Sequence, residues 1–331
     1  MRTLAEIACA LAACFAIPTH GATLKKITTI DLHGPRGGHF DHLAMDYDDH
    51  YLLSAQTGAG ILYVIDVQRN AVVAAIHGLP GITVPVYVPG FKKVYACDWG
   101  ENKIGVVNLK QMKVVKRLAS SEKPNGGTYA KDFGKVYISD TLGKELQAID
   151  VRSDKPAKTL RFESETGMTQ YDEVGRKVWL NLRNANEIAE IDPQADKVAA
   201  RYHVAGCDFN HAMAIDAKNR RAFLLCVGNN VFTVFDLERH RAIAHIPLPE
   251  GADDVKFDAG LRRIYVACES GAITVIEEQD ADHFRKLEDF PVQKGVHTLE
   301  VDAQTHRVFT PEAEEDDQPV CRMIVYEPIQ P

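Results

Sequence analysis

One three-part motif recurs seven times along this chain at intervals of about 42 residues, and this period restricts the fold more than any other feature. Each repeat begins with an apolar segment that ends in a turn residue, usually Asp. A second apolar segment opens with a basic, an aliphatic and an aromatic residue, and a third ends in an acid or its amide. The turn residues of the first segment are Asp46, Pro89, Asp132, Asp172, Asp216, Asp258 and Asp302. The second segment opens at Lys93, Lys135, Lys177, Arg221, Arg263 and Arg307, with a looser first example at His50.

The repeats predict an all-β, seven-bladed β-propeller with four strands in each blade. Their short segments are rich in Val, Ile and Tyr and are separated by turn residues, whereas helix-length stretches of 3.6-residue periodicity are absent from the sequence. The last repeat is followed only by the Pro-rich residues 328–331, which are too few for a fourth strand. Residues 24–32 form a spare strand before the first repeat, so we expect the N-terminal strand to close the last blade.

Residues 1–22 have the pattern of a secretory signal peptide. Arg2 precedes an apolar stretch over residues 4–17, and a segment of small residues ends at Ala22. Residues 11–14, Leu-Ala-Ala-Cys, also resemble the lipobox of bacterial lipoproteins, which makes a lipoprotein signal the alternative. Residues 23–331 are then one propeller domain. We expect the protein to be periplasmic or secreted, with lipoprotein anchoring as the second option.

Composition and cysteine spacing exclude several classes of function. Lys and Arg number 38 against 46 Asp and Glu, and this acidic balance disfavours binding to nucleic acid. The sequence has no apolar run long enough for a transmembrane helix. None of its cysteines forms a Cys-x-x-Cys pair, so neither haem attachment nor a zinc ribbon is expected. No P-loop, Gly-x-Gly-x-x-Gly or Gly-x-Ser-x-Gly motif indicates a nucleotide cofactor or a serine nucleophile.

Five cysteines remain after residue 22, and because five is odd, at least one thiol stays unpaired within a monomer. They are Cys97, Cys207, Cys226, Cys268 and Cys321. A pair between Cys207 and Cys226 is left open by the sequence.

Two repeats carry a more specific resemblance. Residues 93–118 (KVYACDWGENKIGVVNLKQMKVVKRL) and 263–287 (RIYVACESGAITVIEEQDADHFRKL) resemble YVTN-type repeats, as in the YncE-like exported β-propellers. The resemblance extends over residues 24–331. It implies an exported propeller, while the functions within this family are mixed.

Ionisable residues share one position in four repeats that would be neighbours around the closed ring. Asp41, His211, Asp253 and His297 each stand five residues before the first turn residue, so their side chains should point into one side of the channel mouth. Imidazole and carboxylate groups suit a divalent cation, which makes these four the candidate metal ligands. Their sequence neighbours, the candidate ligand-binding residues, are His39, His42, Asn210 and Asp254.

Glu269 and Glu312 are the candidate catalytic residues, since they follow second strands that end on the same face. Glu312 begins an acidic insertion over residues 312–317. The leading hypothesis is a protein that binds a small molecule, a metal ion or an envelope protein at this face. The alternative is a metal-dependent enzyme of the lactonase or lyase kind, with Glu269 or Glu312 as general base. Two further readings are an interaction scaffold and a wet channel mouth without any ligand.

Overall fold

The computed structural model describes residues 22–329, which form seven four-stranded antiparallel sheets. The first strands of neighbouring sheets contact each other around a central channel, so each sheet is one blade of a propeller. The prediction of an all-β, seven-bladed propeller is confirmed. The predicted signal peptide lies, apart from Ala22, outside the described residues.

The strands of each blade are lettered A to D from the channel outward and numbered along the chain. Blades 1 to 3 contain β2 (Phe40–Asp46), β3 (Tyr51–Gln56), β4 (Ile61–Asp66), β5 (Ala71–His77); β6 (Ile82–Val88), β7 (Lys93–Asp98), β8 (Lys103–Asn108), β9 (Lys113–Ala119); and β10 (Pro124–Ala130), β11 (Lys135–Asp140), β12 (Glu145–Asp150), β13 (Lys155–Arg161). Blades 4 to 6 contain β14 (Thr166–Asp172), β15 (Lys177–Leu182), β16 (Glu187–Asp192), β17 (Lys197–His203); β18 (Asn210–Asp216), β19 (Arg221–Cys226), β20 (Val231–Asp236), β21 (Arg241–Pro247); and β22 (Ala252–Asp258), β23 (Arg263–Cys268), β24 (Ala272–Glu278), β25 (Phe284–Pro291). Blade 7 contains β26 (Glu300–Val301), β27 (Val308–Glu315), β28 (Gln318–Pro328) and β1 (Leu24–Asp31). Single 3-10 turns occur at Thr57–Ala59, Lys131–Phe133 and Arg183–Ala185.

The N-terminal strand closes the ring as the sequence predicts. Strand β1 pairs antiparallel with β28 from Leu24 opposite Pro328 to Asp31 opposite Arg322. Leu24 and Ile30 are buried in the packing on either side of blade 7. Thr23 anchors the start of the strand, because its N–H and its hydroxyl both donate to Glu288 Oε2 at 2.7 Å. The outer edge of β28 is therefore covered, as the missing fourth strand of the last repeat requires.

The recurring Asp residues form the turns between strands A and B. Asp46 Oδ1 accepts the backbone N–H of Asp48 at 2.9 Å, and Asp216 Oδ1 accepts that of Lys218 at 3.0 Å. A short carboxylate that bonds the backbone two residues later stabilises a tight turn, which explains why Asp recurs at this position.

The basic residue at the start of strand B links a blade to the next one. Lys93 Nζ lies 2.6 Å from Asp154, in the C–D turn of the following blade, and Tyr95 donates its hydroxyl hydrogen bond to the same carboxylate. Lys135 and Asp196 repeat this contact at 2.6 Å one blade further on. In these two blades the basic residue therefore forms an ion pair with the next blade.

The acidic insertion extends a β-hairpin. Strands β27 and β28 continue pairing beyond Glu312, with Glu315 opposite Gln318, and Asp316 and Asp317 form the turn with positive φ. The extended hairpin also accepts the backbone N–H of Gly37 at Val320 O, so it lies beside the loop that leads into β2.

None of the helical segments among residues 22–329 has the length and apolar character needed to cross a membrane.

Candidate functional site

The D–A loops, which connect neighbouring blades, and the B–C loops open on one side of the ring, here called the upper face. Successive antiparallel strands reverse direction, so the start of each A strand and the end of each B strand lie at this face. His39, Asp41, His211, Asp253 and His297 all lie at or just before the start of an A strand. Glu269 and Glu312 lie just after or within a B strand. The candidate residues are consequently on the face that the sequence predicts.

His39 and His297 form the centre of an upper-face pocket of about 390 Å³. Their imidazole rings are stacked, with centroids 4.2 Å apart and planes inclined by 13°. Glu269, Lys294, Glu312 and Glu314 complete the polar wall. This pocket is called the histidine pocket below.

One hydrogen bond of His297 shows that a particular ring nitrogen carries a proton. Nδ1 lies 3.2 Å from the backbone oxygen of Gly295, which can only accept, so Nδ1 carries the proton. Nε2 is buried without a hydrogen-bond partner in residues 22–329. Burial, followed by the charge of His297, lowers the pKa of His39 below its ordinary value.

The two candidate general bases differ in their partners. Glu312 is buried, and its Oε2 accepts hydrogen bonds from Arg322 Nε and Nη2 at 2.8 and 2.7 Å. Arg322 also contacts Glu315, so the start of the acidic insertion is tied to this guanidinium. Glu269 is more exposed, and its Oε1 lies 4.0 Å from His297 Nδ1. Glu269 is therefore the carboxylate with more freedom to meet a ligand in the histidine pocket.

His211 and Asp253 form a separate pair at the channel mouth. His211 Nε2 lies 3.4 Å from Asp253 Oδ1, and His211 Nδ1 is buried without a partner in the described chain. Burial by itself raises the pKa of Asp253, but His211, followed by His297 and His42, holds it well below its usual range. Asp253 is thus an anion stabilised by the neighbouring histidines.

Asp41 and Asp254 are the partners of His42 inside the channel wall. His42 Nε2 lies 3.4 Å from Asp41 Oδ1, and its Nδ1 lies 3.4 Å from Asp254 Oδ2. Burial lowers the pKa of His42, yet Asp254 and Asp41 outweigh it and raise the pKa to about 9. Asp254 also contacts Lys256 at 3.6 Å, and Lys256 contacts Glu300 at 3.4 Å.

The charged side chains of His42, Lys256 and Glu300 line one side of the central channel. A cavity of about 310 Å³ is bounded by His42, Lys256 and Glu300 on that side and by apolar residues such as Val86 and Met168 on the other. Lys256 and the proton on His42 offset the acids Asp254 and Glu300 that face them. We name this set of charges the channel network.

Asn210 lies inside blade 5. Its Nδ2 donates to Asn181 Oδ1 at 2.7 Å and to the backbone oxygen of Glu187 at 2.8 Å. The side chain is completely buried. These bonds connect the A strand of blade 5 to strands B and C of blade 4.

The four predicted metal ligands are divided among three side-chain pairs. His211 pairs with Asp253, Asp41 pairs with His42, and His297 lies against His39. Across residues 22–329, no group of three or more His, Cys, Asp and Glu side chains is arranged to hold one metal ion. A divalent cation at this face remains a prediction.

Two cationic residues of the upper face escaped the sequence reasoning. Lys123 precedes β10 and lies over the Trp99 ring at 4.0 Å, whereas Arg183 follows β15 and lies over the Phe209 ring at 4.2 Å. Blades 3 and 4 have glycine, Gly127 and Gly167, at the position that is ionisable in blades 5, 6, 7 and 1, so the repeat does not indicate these two cations. The feature that could have indicated Lys123 and Arg183 is their position in loops close to aromatic residues.

A disulfide joins Cys207 to Cys226 beside this face and fixes the loop that carries Phe209. Cys97, Cys268 and Cys321 are buried free thiols. Replacing both Cys207 and Cys226 with Ser is expected to lower the free energy of unfolding by about 3 kcal/mol, because the cross-link closes a loop of moderate length in the unfolded chain.

Denaturant titration measures this loss, with reductant as the control. Reductant should destabilise the wild type and leave the double Ser variant unchanged. In denaturant without reductant, a chain starting at residue 23 should show only the thiols of Cys97, Cys268 and Cys321. Reaction of all its cysteines would contradict the disulfide.

The overall fold is similar to that of solved WD40 propellers. The crystal structure of the RRP9 WD40 repeats gives a TM-score of 0.78 at 9% identity, covering 93% of this chain and 98% of that chain. The structure of U3-55K gives 0.77 at 10% identity with the same two coverages, 93% and 98%. None of the family models and none of the curated proteins compared with the chain matches it. At this identity the similarity establishes a WD40-like seven-bladed propeller and nothing about its ligand.

Proposed function

We propose that this protein is an exported β-propeller of the YVTN type that binds a small polar molecule in the histidine pocket. The observation that carries the proposal concerns His297, which lines a pocket of about 390 Å³ and whose Nε2 is buried without a hydrogen-bond partner in the described residues. A buried polar atom left without a partner costs about 1–3 kcal/mol, and a ligand that forms a hydrogen bond to it removes this cost.

The pocket also has the composition of a binding site. Stacked imidazoles provide an apolar surface with polar edges, while Glu269 and Lys294 provide opposite charges at the rim. A concave site with a few convergent polar groups is the usual form of a small-molecule site. Export is supported by the disulfide between Cys207 and Cys226, since disulfides persist in oxidising compartments.

The metal-dependent lactonase or lyase hypothesis is the second candidate. It is favoured by the pairing of His211 with Asp253, a histidine–carboxylate contact at 3.4 Å with a free ring nitrogen. In that case the cation would bind at the upper face and Glu269 would be the base. The third candidate function is the binding of an envelope protein at the same face.

Replacing His297 with Ala is expected to weaken ligand binding about tenfold or more, because the ligand then loses a hydrogen-bond partner in a desolvated site. The probes are sugars, hydroxy acids, amino acids, Mn²⁺, Zn²⁺ and Ca²⁺, screened by thermal shift and followed by calorimetry. His77→Ala is the matched control, since His77 is exposed on the outer strand β5.

The possible results of this screen distinguish among the three candidate functions. An organic probe that stabilises the wild type and the His77→Ala variant but not the His297→Ala variant supports the proposal. Equal binding to all three chains contradicts it. Stoichiometric metal in protein purified without chelator, lost in His211→Ala, would favour the enzyme. If an envelope protein is still captured after both His211 and His297 are replaced, an interaction surface is favoured.

A further inference from the structure

The cavity of about 310 Å³ inside the central channel, here called the channel cavity, is separate from the histidine pocket. The two share no lining residue. Tyr87 and Tyr129, which line the channel cavity, are each the second-last residue of an A strand, whereas the histidine pocket lies where A strands begin. The channel cavity therefore extends towards the side of the ring opposite the upper face. Its volume is at the lower end of the range for ligand sites, about 300–1,000 Å³, and so suits a small molecule.

One wall of the channel cavity is apolar. Val84 and Val86 of blade 2 and Met168 of blade 4 line it, and all three are buried. Gly127 of blade 3 also lines the cavity and adds no side chain. Burial of apolar surface against such a wall favours binding, so this side suits the hydrocarbon part of a ligand.

The opposite wall presents a cation and an anion side by side. Lys256 and Glu300 both line the channel cavity, and Lys256 Nζ lies 3.4 Å from Glu300 Oε2. The second carboxylate near Lys256 is Asp254, whose Oδ2 is 3.6 Å from Nζ. Both distances exceed the length of a charge-assisted hydrogen bond, about 2.7–2.9 Å. The ammonium group and the Glu300 carboxylate can therefore each form a shorter hydrogen bond with a group in the cavity.

The other charges of this wall are engaged with one another. Asp254 Oδ1 accepts the backbone N–H of the next residue at 2.9 Å, and its Oδ2 accepts the hydroxyl of Thr298 at 3.0 Å. His42, which also lines the cavity, lies 3.4 Å from a carboxylate oxygen on each side, one of Asp41 and one of Asp254. Lys256 and Glu300 are consequently the cation and the anion that a ligand in the cavity would meet.

We propose that the channel cavity binds an apolar α-amino acid, with its ammonium group at Glu300, its carboxylate at Lys256 and its side chain against the apolar wall. A zwitterionic head group complements the two charges, whereas a ligand with a single charge would have one like-charged neighbour. The proposal adds a second site to the protein and does not depend on the histidine pocket.

The wild-type protein tests this proposal with four matched probes, measured by calorimetry and by the shift in Tm. They are L-leucine, 3-methylbutylamine (leucine without its carboxylate), 4-methylpentanoate (leucine without its ammonium group) and glycine, which lacks the apolar side chain. We expect saturable binding of leucine, about tenfold or more tighter than that of each other probe, because each lacks one of the three contacts. The site is overturned if leucine gives no saturable response, as a channel that holds only water predicts, or if any of the other three binds as tightly.

Variants then locate the bound leucine. Glu300→Gln, which keeps the shape of the side chain, and Lys256→Met, which keeps its apolar stem, should each weaken leucine binding about tenfold or more. The matched controls are Glu163→Gln and Lys113→Met, since both positions are exposed and outside the cavity. Circular dichroism checks that each variant is folded, and Glu300→Gln decides the test if Lys256→Met is not.

His297→Ala keeps this inference distinct from the proposed function. This variant should bind leucine as the wild type does, even where it loses the ligand of the histidine pocket. Loss of leucine binding in His297→Ala, with full binding in Glu300→Gln, would assign leucine to the histidine pocket. That result would overturn the channel site and support the proposed function.

Discussion

A chain that starts at residue 33 is expected to lose its cooperative unfolding transition. The deletion removes β1 and exposes the full edge of β28. It also removes Leu24, Ile30 and Leu32, which are buried, and burial of each such side chain contributes about 1.5–3 kcal/mol. With the lost backbone hydrogen bonds, this is comparable to the whole stability of a typical protein, about 5–15 kcal/mol.

Circular dichroism during heating and denaturant titration measure the loss. Ile30→Ala in the full chain is a milder version of this test and should cost about 2–5 kcal/mol, because Ile30 is buried between blade 7 and blade 1. Lys25→Ala, an exposed position on the same strand, should change stability little. A truncated chain that unfolds at the wild-type Tm would show that closure by β1 does not hold the ring.

The stability of the protein is expected to fall as the pH rises from about 6.5 to about 9, because of His42. Its pKa is about 9 in the folded protein, raised by Asp254 and Asp41 against the effect of burial, and its ordinary value is 6.5. Because the pKa of His42 is higher in the folded than in the unfolded protein, ionised His42 contributes fully to the free energy of unfolding below pH 6.5. This contribution is lost as the pH rises through about 9. The difference in pKa corresponds to about 3 kcal/mol at most.

His42→Gln should remove this part of the pH dependence. At pH 6 the variant is expected to be less stable than the wild type by about 3 kcal/mol, and the two should converge near pH 10. Denaturant titrations at closely spaced pH values measure the difference. His77→Gln is the control, since this exposed histidine should leave the wild-type slope intact. A His42→Gln protein with the same loss of stability between pH 6.5 and 9 would contradict the ionised His42.

Much of the site could be placed from sequence because propeller repeats share one register. The common spacing before the turn residue located Asp41, His211, Asp253 and His297 at the start of A strands, where the structure has them. Pairings could not be predicted in the same way. Rotamers and the curvature of the ring decide that Asp41 meets His42 and that His297 stacks on His39.

The role of the acidic insertion also depended on tertiary contacts. Its length and charge were visible in the sequence, but its continuation as a β-hairpin and the capture of Glu312 by Arg322 were not. Arg322 comes ten residues later, on the neighbouring strand, and only the register of β27 against β28 brings it opposite Glu312.

The sequence by itself determined the seven blades, the strand that closes the last blade and the face on which the polar residues collect. These features follow from local spacing, because side chains alternate along strands and Asp favours tight turns. Only the tertiary structure decided which charges meet. Lys93 reaches Asp154 across a blade boundary, and Lys135 reaches Asp196 in the same way. Such contacts join residues distant in sequence, and they depend on the closure of the ring, which no single repeat encodes.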